Sequence, residues 1–179
     1  MVDEQLPELI LPIEGRDHCL GRAGARYQLV EYGDYECPHC RHVQPIVHEL
    51  LREFGDDLWF AFRHYPQPKI HPNSVRAAEI AEAADQQAKF WLMHDRLFQH
   101  QGEFSEKLYQ RLAQELPLDM PAFDRDLASG APTRHVDEDV ESAEENGVGD
   151  TPAFFVNGRM HEGSYEFRPM LDALRLRTA

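Results

Sequence analysis

Hydrophobic and polar positions along this chain change period several times, and the changes mark its elements. Tyr27 to Tyr32 (Tyr-Gln-Leu-Val-Glu-Tyr) is aromatic and β-branched and stops at Gly33-Asp34, which predicts a buried strand. Val43, Ile46, Val47, Leu50, Leu51 and Phe54 then recur at helical spacing, and Gly55 closes that helix. Leu58 to Phe62 reads as the next strand, parallel to the first through a right-handed crossover. After Pro66, Pro68 and Pro72 the period stays helical over Ser74 to Asp85, Phe90 to Gln99, Ser105 to Glu115 and Met120 to Ser129, with Gly, Pro or polar breaks between them. Pro132 to Asn146 is a further helix, which Gly147 caps in the left-handed conformation while Val148 packs back. Ala153 to Val156, the turn signal Asn157-Gly158 and Arg159 to His161 predict a hairpin, and Phe167 to Leu176 a closing helix. Before Tyr27, the residues Pro7, Pro12, Gly15, Gly21 and Gly24 interrupt any pattern, so an extended arm with at most one short strand is expected.

The organisation that follows has three parts. Residues 1–26 form an N-terminal arm, residues 27–64 and 130–179 an α/β domain, and residues 65–129 an inserted all-helical subdomain. Phe90, Trp91 and Phe98 recur at helical spacing in that insert and read as core. A chain of 179 residues buries enough surface to need no disulfide or metal staple, so its three cysteines call for another explanation.

Cys37-Pro38-His39-Cys40 supplies it. The two cysteines follow the first strand and open the first helix, where a helix N-terminus stabilises a thiolate, the reactive form of cysteine. Pro38 suits a first helical turn, because its missing N–H has no partner there, whereas Pro45 lies inside the helix and should kink it. In such a turn the first sulfur is the exposed one and the second is carried into the helix. Cys37 is therefore expected to attack and Cys40 to resolve. His39, when protonated, favours the Cys37 thiolate. Glu31 stands in a core strand six residues before Cys37, where a carboxylate is costly without a partner or a task. It reads as a proton acceptor for Cys40 through water, the alternative being an outward-pointing side chain on an edge strand. Cys19, in the arm, reads as a small half-buried side chain rather than a second resolving thiol.

Charge and hydropathy exclude more than they assign. A formal net charge of −14 argues against a nucleic-acid groove or an anionic membrane surface as partner. No apolar run is long enough to span a bilayer. Met1 to Glu14 carries acids and two prolines rather than a basic segment and an apolar run, which reads as cytoplasmic, although a processed periplasmic chain would start in the same way. No cofactor beyond the cysteine pair is implied. A zinc site would take Cys37 and Cys40 with histidines such as His42 or His64, but no second Cys-x-x-Cys or spaced histidine pair completes four ligands. An adaptor domain with incidental cysteines is the remaining class.

Three segments carry a family resemblance: Val30 to Cys40 (Val-Glu-Tyr-Gly-Asp-Tyr-Glu-Cys-Pro-His-Cys), Ala88 to Asp95 (Ala-Lys-Phe-Trp-Leu-Met-His-Asp) and Gly147 to Gly158 (Gly-Val-Gly-Asp-Thr-Pro-Ala-Phe-Phe-Val-Asn-Gly). With the order of elements, they resemble the DsbA-type branch of the thioredoxin superfamily. The resemblance implies a thioredoxin-like α/β fold, a central mixed sheet flanked by helices, with an inserted all-helical subdomain. It implies thiol–disulfide exchange with protein or small thiol substrates and with a separate redox partner. It also implies that Thr151-Pro152 is a cis bond beside the cysteine pair, leaving backbone groups for an extended substrate. Relatives usually have glycine where this chain has Asp150, and a carboxylate pointing inward there would raise the Cys37 pKa and make the pair less oxidising. Cys-Pro-His-Cys argues for an oxidase or isomerase; a cytoplasmic setting argues for a reductase.

Overall fold

The central strand of the sheet is the stretch that the pattern predicts as a buried strand. The computed structural model describes residues 8–176, so the start of the arm, Met1 to Pro7, lies outside the described residues. Five strands run in the order β1-β3-β2-β4-β5: β1 (His18–Gly21), β2 (Tyr27–Gly33), β3 (Leu58–His64), β4 (Ala153–Val156) and β5 (Arg159–Met160). β1 pairs antiparallel with β3, β4 antiparallel with β2, and β5 antiparallel with β4. β4 is buried along its whole length and β2 from Leu29 onward, the pattern of strands covered on two faces.

The described residues form two units. The first comprises the chain up to Gly33, His42–Arg63 and the chain from Ser142 onward; the second comprises Asp34–Arg41 and His64–Glu141. In the first, the sheet is accompanied by the body of α1 (Pro38–Phe54), whose Val43, Val47 and Leu50 are buried, and by α7 (Phe167–Leu176), which buries Met170, Leu171 and Leu174. Pro45 stands inside α1 on its exposed side. Gly33 ends β2 as glycine for a steric reason, since a Cβ there would run into the Phe62 ring. The hairpin turn has Asn157 at φ 49° and Gly158 at φ 80°, the left-handed pair of a type I′ turn. Asn157 also fastens it to β2: its N–H donates to the Gln28 carbonyl at 2.8 Å, and its Oδ1 accepts the Gln28 N–H at 2.8 Å.

α6 (Ala131–Glu145) ends as its sequence predicts. Gly147 takes φ 72°, its N–H meets the Glu144 carbonyl at 3.1 Å, and the Val148 N–H reaches the Ala143 carbonyl at 2.9 Å, with Val148 buried. These two bonds satisfy carbonyls that the last helical turn would otherwise leave bare.

Among the described residues the arm contains one short strand, β1, paired with β3, and a buried ion pair adds to its attachment. Arg63 Nε donates to Asp17 Oδ1 at 2.7 Å and Nη2 to Asp17 Oδ2 at 2.9 Å, with both side chains at 1% exposure or less. The other guanidinium N–H groups reach the Leu11 carbonyl (3.1 Å), the Pro12 carbonyl (2.9 Å) and the Tyr32 hydroxyl (3.0 Å). Burial alone would lower the guanidinium pKa, yet Asp17 and Tyr32 outweigh it and the pKa is raised. Arginine's planar fork is the side chain that can serve so many acceptors at once.

The second unit is helical. α2 (Ser74–Asp85) presents Ala77, Ala78, Ala81 and Ala84, small enough for close helix approach, and α3 (Phe90–Gln99) buries Phe90, Met93, Leu97 and Phe98. Phe90 and Phe98 are core as expected, while Trp91 is half-buried. α4 (Glu106–Glu115) is capped by Ser105, which accepts the Leu108 N–H at 3.2 Å, and α5 (Met120–Ala128) by Asp119, which accepts the Ala122 N–H at 2.8 Å. Buried charge is paired here too. His64 Nε2 lies 2.8 Å from Glu82 Oε1, and Asp139 accepts the His64 backbone N–H at 2.8 Å.

Candidate active site

α1 begins at Pro38, which leaves Cys37 as the capping residue: its carbonyl accepts the first helical bond, from the Arg41 N–H at 3.2 Å. Cys40 is then the third helical residue, so both sulfurs belong to the turn where helix N–H groups lack carbonyl partners and favour negative charge. Two backbone bonds close the turn on itself. The Cys37 N–H donates to the Asp34 carbonyl at 3.1 Å, and the Asp34 N–H donates to Cys40 Sγ at 3.4 Å. An N–H aimed at a sulfur stabilises it most when it is a thiolate.

Cys37 is more covered than a helix-start position predicts, at 3% exposure against 0% for Cys40. The Gln101 side chain lies against this turn, its Nε2 donating to the carbonyls of Tyr35 (2.8 Å) and Cys37 (2.9 Å). Pro38 and His39, between the sulfurs, are exposed. The loop before Cys37 is anchored at three further points. The Tyr35 hydroxyl is 3.0 Å from His94 Nδ1; Glu36 accepts the Asn73 N–H at 2.5 Å and its Nδ2 at 2.8 Å; Asp34 accepts the Glu36 N–H at 2.8 Å.

The other residues singled out from the sequence sit in the sheet unit. Glu31 is fully buried on the central strand, opposite Phe154, and Gln44 Nε2 donates to its two oxygens at 3.1 and 3.4 Å. That excludes the outward-pointing alternative. Thr151-Pro152 is a cis peptide bond, and both residues are buried. Asp150 is exposed, and its Oδ1 accepts the following Thr151 N–H at 2.8 Å. Of the histidines considered for zinc, the exposed His42 lies 3.1 Å from Glu166 and the buried His64 pairs with Glu82.

Cys19 lies half-buried on β1, where burial first and the charge of Asp17 next push its thiol up to about 11. At pH 8 it is therefore almost wholly protonated and a poor nucleophile. We expect iodoacetamide to label Cys19 of the folded protein more than tenfold more slowly than in urea, as peptide mass mapping would read, and Cys19→Ser to leave disulfide exchange unchanged.

A family model described as thioredoxin matches residues 14–174. The chain belongs to the thioredoxin family. Among solved structures, this thioredoxin-family chain is similar to a thioredoxin-like oxidoreductase from Silicibacter pomeroyi DSS-3, with a TM-score of 0.82 and 29% identity over 93% of this chain and 95% of that one. It shares its fold with BdbD from Bacillus subtilis (TM-score 0.80, 21% identity, 96% and 95% of the two chains). The same holds for α-DsbA1 from Wolbachia pipientis (TM-score 0.79, 21% identity, 94% and 93%). The architecture is therefore the DsbA-like variant of the fold, and the family, the fold and the Cys-x-x-Cys pair are together those of thiol–disulfide oxidoreductases. Among curated proteins, the chain is 41% identical over 174 residues to the Na(+)/H(+) antiporter NhaA 1 of Salinispora arenicola, a match covering 97% of this chain and 26% of that protein. It thus spans about a quarter of the length of the curated relatives it matches. Among the described residues no helix is long and apolar enough to cross a membrane.

Sequence reasoning missed Asp34, Glu36, Gln101 and Gln44 as members of these networks. Asp34 reads in sequence only as a strand breaker, and its distant partners, Gln67 and His71, lie 33 and 37 residues away in a proline-punctuated loop that has no periodicity to follow.

Proposed function

We propose that this domain is a thiol–disulfide oxidoreductase acting on protein thiols, with Cys37 as nucleophile and Cys40 as the resolving cysteine. The observation that supports the reading best is the placement of both cysteines in the first turn of α1, with a backbone N–H donated to Cys40 Sγ. In the oxidising direction a substrate thiolate attacks Cys37, the Cys37–Cys40 bond breaks, and Cys40 leaves as thiolate. A second substrate thiolate then displaces Cys37, so the substrate loses two electrons and two protons and the pair gains them. His39 favours the Cys37 thiolate, Pro38 sets the start of the helix, and Glu31 is the proton acceptor for Cys40. Thr151, Pro152 and Asp150 receive the substrate chain. No cofactor besides the cysteine pair enters, and the electrons pass to or from a separate thiol partner.

Direction and compartment go together. A strongly oxidising pair would be held reduced by cytosolic glutathione, so an oxidase belongs outside the cytosol and a reductase within it. Equilibration with glutathione buffers, read by mass after alkylation, separates them. With Cys-Pro-His-Cys we expect a potential nearer DsbA's figure of about −120 mV than thioredoxin's figure of about −270 mV. A value at the lower figure makes the domain a cytoplasmic reductase and Asp150 the first residue to replace. Absence of an intramolecular disulfide at every ratio overturns the reading in favour of zinc binding or an adaptor role.

A further inference from the structure

The carboxylate of Asp34 is fully buried three residues before Cys37, where a negative charge opposes a thiolate. It is nevertheless built into the cysteine turn. Its Oδ1 accepts the Glu36 N–H, and its Oδ2 accepts the Gln67 N–H at 3.0 Å and lies 2.7 Å from Nδ1 of His71, a side chain 18% exposed. The backbone of the same residue makes both bonds that close the turn, the carbonyl to the Cys37 N–H and the N–H to Cys40 Sγ. Gln67 and His71 belong to the loop between β3 and α2, and Asn73 of that loop holds Glu36. Asp34, together with Glu36, thus fastens this loop to the cysteine turn.

We propose that Asp34 and His71 are positioning residues for the Cys37–Cys40 pair: His71 holds and offsets the Asp34 carboxylate, keeping the Asp34 N–H on Cys40 Sγ and stabilising the reduced pair. This deepens the oxidoreductase reading and rests on it. Two contributions act in one direction. Removing the His71 N–H leaves the carboxylate with less compensation beside the cysteine turn, and it releases the backbone donor from the sulfur. Both disfavour thiolate, and hence the dithiol, relative to the disulfide. Burial already pushes the Asp34 carboxyl up from its ordinary value, with the backbone N–H of Glu36 and the His71 side chain opposing that rise. Such a balance is sensitive to losing one of its donors.

The test is the equilibrium of the pair with glutathione, in which the protein disulfide and two glutathione thiols give the dithiol and one glutathione disulfide. Wild-type protein is measured first: if it forms no intramolecular disulfide, the oxidoreductase reading itself fails, independently of Asp34 and His71. Given a wild-type equilibrium, His71→Ala is expected to shift it about tenfold toward the protein disulfide, the equivalent of one pKa unit. His71→Asn, which can place an amide N–H where Nδ1 stood, recovers most of that shift. In an Asp34→Asn background, His71→Ala adds less than twofold, because the two residues act as one pair. If His71→Ala does not fold, His71→Leu keeps the bulk without the donor and takes its place. A purely structural role would lower the stability of the oxidised and reduced forms alike and leave the equilibrium constant unmoved. That result, or a full tenfold shift persisting in the Asp34→Asn background, overturns the proposal.

Discussion

Cys37→Ser is expected to abolish disulfide exchange with a protein substrate, a loss on the order of 10³-fold or more, because on the proposed mechanism it removes the sulfur that carries the mixed disulfide. The companion variant is more informative. Cys40→Ser keeps the attacking thiolate at the helix cap but removes the sulfur that would expel the substrate, so mixed disulfides through Cys37 should accumulate and survive non-reducing electrophoresis. Incubation with a substrate supplied in both thiol and disulfide forms, followed by peptide mapping of the trapped species, distinguishes the roles. Trapping by Cys37→Ser instead would reverse the assignment. No trapping by either would mean that the pair does not act through a mixed disulfide. In the structure Cys37 stands at the helix cap, and Cys40 lies inside the first turn with the Asp34 N–H on its sulfur.

The second large effect concerns stability. Asp17→Ala should destabilise the domain by about 3–5 kcal/mol, because it strands the buried Arg63 charge and loosens the hold on the Leu11 and Pro12 carbonyls. Arg63→Met should cost a similar amount by stranding Asp17. The double replacement Asp17→Ala with Arg63→Met should recover part of the loss, since no charge is then left buried without its partner. Urea denaturation of the four proteins gives the coupling directly. Single variants costing under about 1 kcal/mol would mean that water reaches the pair and that the arm is held by something else. Disulfide exchange by the folded fraction should be little changed, because neither residue belongs to the cysteine turn.

Much of the molecule is written locally. The helices from Ser74 to Gln99 start and stop where their apolar spacing and breakers say, because a helix must bury a stripe at its own period and the punctuating residues cannot continue it. Gly147 and Asn157-Gly158 are legible for a related reason: a left-handed backbone is costly for most side chains, so the residue type announces the geometry. The cysteine motif is legible because its chemistry needs two sulfurs within one helical turn. What the sequence by itself determined is therefore the set of elements and the reactive pair.

Only the tertiary structure decided where the polar residues lie and what they pair with. Glu31 carried a choice between core and edge, and it was resolved by strand order: β2 is central because β3 and β4 flank it, a long-range pairing that no local period encodes. Asp17 looks like any arm residue until Arg63, 46 positions away, encloses it. Asp34 reads as punctuation after a strand, yet it meets His71 across 37 positions and touches both cysteines through its backbone. Periodicity reports which face of an element is apolar, but a hydrogen-bonded charge needs only one partner from anywhere in the chain, and folding alone chooses which.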